Sequence, residues 1–580
     1  MPEFLLGPIR ITTHGGADDL LSAGLGLAGL AGAPTAFADP AHPTPAELRR
    51  RAIQTSWKGI ADLGPLGGYG RVYGHVPAVA GREFSAFARL PGARAPHRVL
   101  LQAPDAFDRK ARCLVVAASS GSRGIYGAIA LAGAWGLPRG CAVAYTDKGA
   151  GSGYFDTADG SGVALDGTRA QAGTAPLEFE PAQAPRDAGI AIKHLHSQDN
   201  PEADWGRHVL QAAQFGLAML DRAYPDQAPF TAGNTRIIAT GLSNGGGAVL
   251  QAAGLDESHL LAGVVASEPN VHVAGHGRAL FDYASEAALY LPCALADKRF
   301  DATPLARVAG ALPPAFAARC AGLREAGSLD GDDFAAQAHD ALQRLHAGGW
   351  TDAVIATAAS TTVFDLWRAV AAGYASAYLR KPVGEMPCGY AYRQVDALGK
   401  PSGDAAVRAA WWADAAGIPP GNGVGLIGSI EAGADPALAS LRCLRGLWEG
   451  DSPDARALHA SVASLAARLP RADLPLWVVH GADDGLVPTM FTSEPYVEWL
   501  RASGRTPRYW KVAHAQHFES FLALPGFGDA HVPLLPFAYR ALDRMWEHVI
   551  DGKPLADPPV PQTRPRGSAA LDASMLGLTN

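Results

Sequence analysis

From about residue 97 onward, short apolar runs alternate with longer stretches of helical periodicity, which is the pattern of a parallel sheet with crossover helices. The runs 99–103, 113–118, 141–146 and 236–240 are each bounded by Gly, Pro, Asp or Ser and read as strands that feed loops. Runs 261–266, 476–479 and 508–512 continue the series. Between them, 204–224 carries Trp205, Val209, Leu210, Phe215, Leu217 and Leu220 at helical spacing, and 534–550 reads as a closing helix. Between roughly 271 and 470 the rhythm stops. Ala-rich helical stretches such as 332–346 and 362–379 take its place, with Trp350, Trp367, Trp411, Trp412 and Trp448 among them. The pattern predicts an α/β core divided by one mostly helical insertion: an N-terminal segment packed on the core (1–90), the first part of the core (91–270), the insertion (271–470), the second part (471–557) and a Pro-rich surface tail (558–580). No internal repeat of solenoid or propeller period is present.

Composition narrows the partners. A chain of 580 residues with 48% hydrophobic and 18% charged residues can bury a large core, and a formal charge of -7 without a long basic run leaves no footprint for nucleic acid or an anionic membrane. No apolar stretch reaches membrane-spanning length. The six cysteines, Cys113, Cys141, Cys293, Cys320, Cys388 and Cys443, lie far apart and lack the close pairs of a zinc site, so neither a metal nor another cofactor is expected. An even count permits disulfides that sequence cannot pair; Cys113 and Cys141 read as buried strand residues, and bridges are expected in the insertion. Residues 20–30 are apolar, but Asp18 and Asp19 stand where a leader peptide carries positive charge, so the stretch reads as structure. Localisation stays open between a secreted chain whose leader has been removed and a cytoplasmic one.

Gly241-Leu242-Ser243-Asn244-Gly245 fits the G-x-S-x-G elbow, where a tight strand-to-helix turn presents a serine. Chance alone supplies about 0.4 such matches in a chain this rich in glycine, so context must carry the assignment. A β-type run, 235–240, precedes it, and Gly245-Gly246-Gly247 followed by Ala248-Val249-Leu250 opens a helix. A serine hydroxyl needs a base, and the base needs a carboxylate to orient it; in this fold they follow in the order Ser, acid, His. After the 476–479 run comes His480-Gly481-Ala482-Asp483-Asp484-Gly485, whose position four after the His-Gly histidine selects Asp484 over Asp483 and leaves His480 as a structural turn residue. After the 508–512 run comes Ala513-His514-Ala515-Gln516-His517-Phe518. His517, anchored by the following aromatic, is the expected base; His514, His531 and His548 are bystanders. The backbone N–H of Asn244 and one from Gly121, Ser122 or Arg123, in the glycine-interrupted loop after 113–118, are the expected oxyanion donors. Residues 146–153 are glycine-rich without phosphate-loop order and read as a rim loop. These features specify an α/β-hydrolase core with a large, mostly helical cap or lid insertion, and a serine esterase as its activity.

Three of the motifs, 145–151, 241–247 and 515–518, together resemble the D-(-)-3-hydroxybutyrate oligomer hydrolases, relatives of tannases and feruloyl esterases, and 18–26 resembles the start of that family's mature domain. The resemblance implies hydrolysis of short 3-hydroxybutyrate oligomers to monomers, downstream of a poly(3-hydroxybutyrate) depolymerase, with a small-molecule oligoester as partner. The insertion would then select substrate, with Trp350, Trp367, Trp411 and Trp412 as candidate contacts unless they fill its own core. Hydrolysis of aromatic acid esters, and a non-catalytic hydrolase-like binding protein, are the competing readings.

Overall fold

The computed structural model describes residues 2–396, 399–414, 423–429, 434–556 and 559–578. Among these residues the principal sheet has nine strands: β1 (Leu5–His14), β2 (Gly81–Ala88), β3 (His97–Pro104), β4 (Cys113–Ala118), β5 (Ala142–Thr146), β6 (Arg236–Leu242), β7 (Gly263–Ser267), β8 (Leu476–Gly481) and β9 (Arg508–Val512). Their spatial order is β1-β2-β3-β5-β4-β6-β7-β8-β9. From β5 to β9 all neighbours run parallel. The other three pairs are antiparallel.

Two of these pairings depart from the sequence reading. The run 99–103 was expected in a parallel sheet, yet β3 lies antiparallel to both β2 and β5, because the short 89–96 connection lets β2 fold straight back on it. The first 90 residues do more than pack on the core: β1 and β2 extend the sheet itself.

The central strands read as continuous apolar runs because both of their faces are buried. Val115, Val143, Ile238, Val265 and Val479 enter one hydrophobic cluster with Leu48, Ile53 and Trp57 of helix α1 (Pro45–Ile60). Leu114, Val116, Ala239, Val264 and Val478 enter another, with Trp205, Val209 and Phe215 of α2 (Pro201–Ala223) and Val249 of α3 (Asn244–Leu255). The loops at the carboxyl ends of these strands are thereby fixed from both sides, which is where open α/β sheets place their ligands.

Between β7 and β8 the chain leaves the sheet for α4 (Leu280–Ala294), α5 (Pro314–Glu325), α6 (Phe334–Ala347), α7 (Leu366–Tyr378), α8 (Leu438–Glu449) and α9 (Pro453–Ala463), then returns to β8, β9 and the closing helix α10 (Leu535–Val549). This insertion also holds an antiparallel pair, Ala391–Gln394 with Val424–Ile427. A four-stranded antiparallel sheet built from Tyr154–Asp156, Ser161–Val163, Arg169–Gln171 and Ile190–Ile192 follows β5. Its strands are three residues long, too short to leave a period in the sequence.

All six cysteines pair. Cys293–Cys320 and Cys388–Cys443 lie in the insertion, as expected, but Cys113–Cys141 bridges the core. Because β4 and β5 are parallel neighbours with Leu114 opposite Ala142, the residues just before that pair, Cys113 and Cys141, stand side by side, 4.7 Å apart at Cα. The apolar stretch near residue 20 is built into the molecule: Leu20, Leu21 and Leu30 are fully buried, and Asp19 accepts hydrogen bonds from the N–H groups of Leu21, Ser22 and Gly24. The boundary drawn at 557–558 lies outside the described residues. The described part of the tail, 559–578, is docked rather than free, with Leu571, Met575 and Leu576 buried and the Leu571 N–H donating to Leu66 O. No helix among the described residues is long and apolar enough to cross a membrane.

Candidate active site

Ser243 sits between β6 and α3 with φ 58° and ψ -128°, a conformation that costs a non-glycine residue energy and lifts its side chain out of the turn. Its N–H donates to Ser267 O at 3.0 Å, and its carbonyl accepts from Asn270 N–H at 3.0 Å, so β7 and its following loop hold the strained turn. The glycines make the approach feasible. A Cβ at Gly241 would meet Gly245 O at 2.4 Å, and one at Gly245 would meet Ser119 O at 2.4 Å.

The loops after β8 and β9 bring Asp484 and His517 to the same point. His517 Nε2 lies 3.0 Å from Ser243 Oγ, and His517 Nδ1 lies 2.7 Å from Asp484 Oδ2. Asp484 is completely buried; burial alone would raise its carboxyl, but His517 beside it and hydrogen bonds from both His517 and His480 bring it well below the usual carboxylate range. Its Oδ1 also accepts from the N–H groups of Leu486 and Val487 at 2.8 and 2.6 Å. His480 is buried behind Asp484, with Nε2 3.1 Å from Asp484 Oδ2 and 2.8 Å from Val487 O, and Nδ1 2.7 Å from Ser493 Oγ. Two acceptors at Nε2 fix the proton there, which leaves Nδ1 to accept from Ser493. Asp483 does not reach His517; its carbonyl accepts from Thr357 Oγ1 of the insertion at 2.7 Å. His514 is exposed and pairs with Thr563, His531 bonds Phe527 O and His548 bonds Lys553 O.

Ser243 and His517 line a cavity of about 430 Å³. The core contributes Ser120, Gly121, Ser122, Arg123 and Asn244, and the insertion contributes Leu280, Thr361, Phe364, Leu366, Val370 and Tyr374. Asn244 opens α3, where first-turn N–H groups lack intrahelical acceptors. In the loop after β4, the Arg123 N–H donates to Ser120 O at 3.2 Å and is turned into that bend, which removes Arg123 from the backbone-donor candidates and leaves Gly121 and Ser122. Gly121 packs on Asn244, since a Cβ there would stand 2.3 Å from Asn244 Oδ1.

None of the four candidate tryptophans lines this cavity. Trp350 and Trp367 pack edge to face at 5.8 Å beside Tyr283, and Trp350 Nε1 donates to Glu286. Trp411 and Trp412 pack on Tyr154 and Tyr126. Large apolar rings that bury one another are core, and smaller residues of α7 line the cavity with Ser243 in their place.

Sequence reasoning also missed a charged network at the cavity wall. Lys148, expected on a rim loop, is buried, pairs with Glu202 at the start of α2, and donates to the Tyr374 hydroxyl at 2.6 Å. Burial would raise the Glu202 carboxyl, but Lys148 and His194 bring it down to about 2; burial lowers His194 to about 4, leaving it a neutral donor to Glu202. Two further carboxyls, Glu268 after β7 and Glu519 after His517, line the same cavity. Burial pushes Glu268 well above the usual range and Glu519 up to about 7. Neither carries a motif; Glu519 is two residues beyond His517, and Glu268 is marked only by its place at a strand end beside Ser243. Among the described residues, no group of three or more His, Cys, Asp or Glu side chains could hold a metal ion.

A family model described as 3HB-oligomer hydrolase matches residues 1–580. The D-(-)-3-hydroxybutyrate oligomer hydrolase of Paracidovorax citrulli is 37% identical over 652 residues, spanning 100% of this chain and 92% of that protein. The protein of the same name from Cupriavidus metallidurans is 36% identical, spanning 98% and 88%. Among solved structures, tannin acyl hydrolase from Aspergillus niger is 11% identical, covers 87% of this chain and 88% of its own, and superposes with a TM-score of 0.37. Feruloyl esterase B from Aspergillus oryzae is 12% identical, covers 83% of each chain and has a TM-score of 0.34.

Proposed function

The chain belongs to the 3HB-oligomer hydrolase family, and from that membership we propose that it hydrolyses the ester bonds of short 3-hydroxybutyrate oligomers through an acyl-enzyme on Ser243. It is a carboxylic ester hydrolase. The observation that carries the serine mechanism is the continuous relay from Ser243 Oγ through His517 to Asp484, opening on a largely apolar-walled cavity. His517 Nε2 takes the serine proton as Oγ attacks the ester carbonyl, and Asp484 fixes the tautomer and stabilises the imidazolium. The N–H of Asn244, with Gly121 or Ser122, receives the developing oxyanion. His517 then protonates the departing hydroxyl of the next hydroxybutyrate unit, and a water activated by the same imidazole releases the acyl group and restores the serine. The insertion acts as a cap: its α7 supplies one wall, so chain length and branching are selected there rather than by the triad.

The test is product analysis on hydroxybutyrate dimer, trimer and tetramer beside methyl ferulate, together with mass spectrometry after a fluorophosphonate. Release of hydroxybutyrate and one adduct on Ser243 are expected. Labelling of Ser120 or Ser122, or ferulate cleaved in preference to every oligomer, would overturn the mechanism or the substrate respectively.

A further inference from the structure

Glu268 is the residue that follows β7, one strand away from the nucleophile, and its φ of 33° lies in the left-handed region that non-glycine residues avoid. Its N–H is pinned to Val479 O at 2.8 Å, next to the strand end that bears the acid loop. The residue is only 6% exposed and lines the cavity with Ser243 and His517. Its Oε2 is buried and has no hydrogen-bond partner among the described residues. The charges facing it, on Asp484 after β8 and Glu519 after His517, are both those of carboxyls.

A carboxylate in that place would combine desolvation, repulsion from its neighbours and an uncompensated lone pair, so the neutral acid is the stable form, in line with the upward push that burial exerts. A neutral carboxylic acid is a hydrogen-bond donor. Nothing in the triad uses it: Asp484 already receives His517, and the oxyanion is served by backbone N–H groups. An oligoester offers the complement, since each additional unit brings one more ester carbonyl, which accepts and does not donate. We propose that Glu268 is a specificity-determining residue that acts as a neutral acid and donates a hydrogen bond to an uncharged oxygen of the bound oligoester beyond the ester being cleaved. The inference rests on the oligoester reading given above.

The experiment compares kcat/KM for hydroxybutyrate trimer with kcat/KM for p-nitrophenyl acetate, which has no second ester, in the wild type, Glu268→Gln and Glu268→Leu. Loss of one hydrogen bond in a desolvated site predicts that the trimer-to-acetate ratio falls about 10-fold in Glu268→Leu. Glu268→Gln keeps a donor in the same shape and stays within about 3-fold of the wild-type ratio, which also guards against a leucine variant that fails to fold. A leucine variant with the wild-type ratio, or a glutamine variant that falls as far as leucine, overturns the proposal. Wild-type enzyme that cleaves the acetate but not the trimer removes the oligoester reading, and this inference with it. Cleavage of the trimer with an unchanged ratio in both variants removes the role of Glu268 alone.

Discussion

The side-chain amide of Asn244 donates a 2.8 Å hydrogen bond to the hydroxyl of Tyr374, joining the residue after Ser243 to helix α7 of the insertion. Lys148 donates to the same oxygen, and Glu202 ties Lys148 back to the Asn244 amide at 3.3 Å. The cavity wall formed by α7 and the turn that follows Ser243 are therefore one hydrogen-bonded unit. Removing the hydroxyl in Tyr374→Phe leaves Lys148 and Asn244 short of an acceptor and frees the turn beside Ser243. We expect kcat to fall about 10-fold while KM changes less than about 3-fold, because misplacement of an oxyanion donor acts on the transition state. Steady-state kinetics on p-nitrophenyl acetate check this, and a change confined to KM would refute it.

The relay geometry separates its histidines. Only His517 reaches Ser243, whereas His514 faces solvent beside Thr563. His517→Ala should lower kcat by about 10⁴-fold or more, as loss of a triad member does, and His514→Ala should stay within about 3-fold, the range expected of a surface substitution. Comparable losses in the two variants would mean that the base has been misassigned.

The meeting of Ser243, Asp484 and His517 was legible because each comes three to five residues after an apolar run, and a strand end projects its loop toward one point. The strands β4 to β8 were legible because burial on both faces writes a continuous apolar run, and β9, at the sheet edge with Lys511 exposed, was legible from its alternation of Trp510 and Val512 with polar residues. β2, with Arg82 and Glu83 inside it, has no such run, since it is held by partners on both sides and by Arg49 pairing with Glu83 across 34 positions. The network of Lys148, Glu202 and Tyr374 escaped notice because its members come from three distant segments. In sequence a buried ion looks the same as a solvated one until its partner is beside it. The tryptophans failed in the opposite direction: large aromatic rings suggest ligand contact, yet these four have each other, Tyr154 and Tyr126 to pack against.

Asp484 also gives a pH-dependent contribution to stability. Its carboxyl is held below the usual value of 3.8 in the folded chain, so the folded state binds fewer protons than the unfolded state in that range. The stabilisation is fully present above the unfolded value and is lost as pH falls through the folded one. Asp484→Asn should thus be less stable than wild type by about 2 kcal/mol at neutral pH, with the difference narrowing below about pH 4. Urea denaturation at several pH values measures it. A difference that grows as pH falls below about 4 would contradict the assignment of an ionised, histidine-bonded Asp484.

At the cavity wall an aromatic row connects solvent to the base. Phe364 is 50% exposed, lies 5.5 Å from Phe521, and Phe521 stacks on Phe518 at 4.5 Å beside His517. An exposed ring on a cavity rim costs little to remove from the fold and contacts only the parts of a ligand that lie outside the triad. Phe364→Ala should raise KM for hydroxybutyrate trimer about 5-fold and affect p-nitrophenyl acetate less, consistent with loss of an exposed apolar contact. Trp412→Phe, in the buried cluster, should lower the melting temperature without moving that ratio. The reverse pattern would return substrate contact to the tryptophans.

The insertion is tied internally by Cys293–Cys320 and Cys388–Cys443, with sequence separations of 27 and 55. The longer closure removes more freedom from the unfolded chain, and chain-entropy scaling puts its contribution at about 4 kcal/mol, about 0.6 kcal/mol above that of the shorter one. Its location matters more than this difference. Cys443 lies on α8, whose Arg445 bonds Asp282 on α4, so this bridge fastens the segment before Ala391 to the helices behind the cavity. The Cys388→Ser, Cys443→Ser double variant should raise hydrogen exchange in α7 and α8 while β4 to β9 stay protected, and should weaken trimer hydrolysis more than p-nitrophenyl acetate hydrolysis. Uniform loss of protection across the sheet and the insertion would show that the two unfold as one cooperative unit, and would rule out an insertion that can loosen around an intact triad.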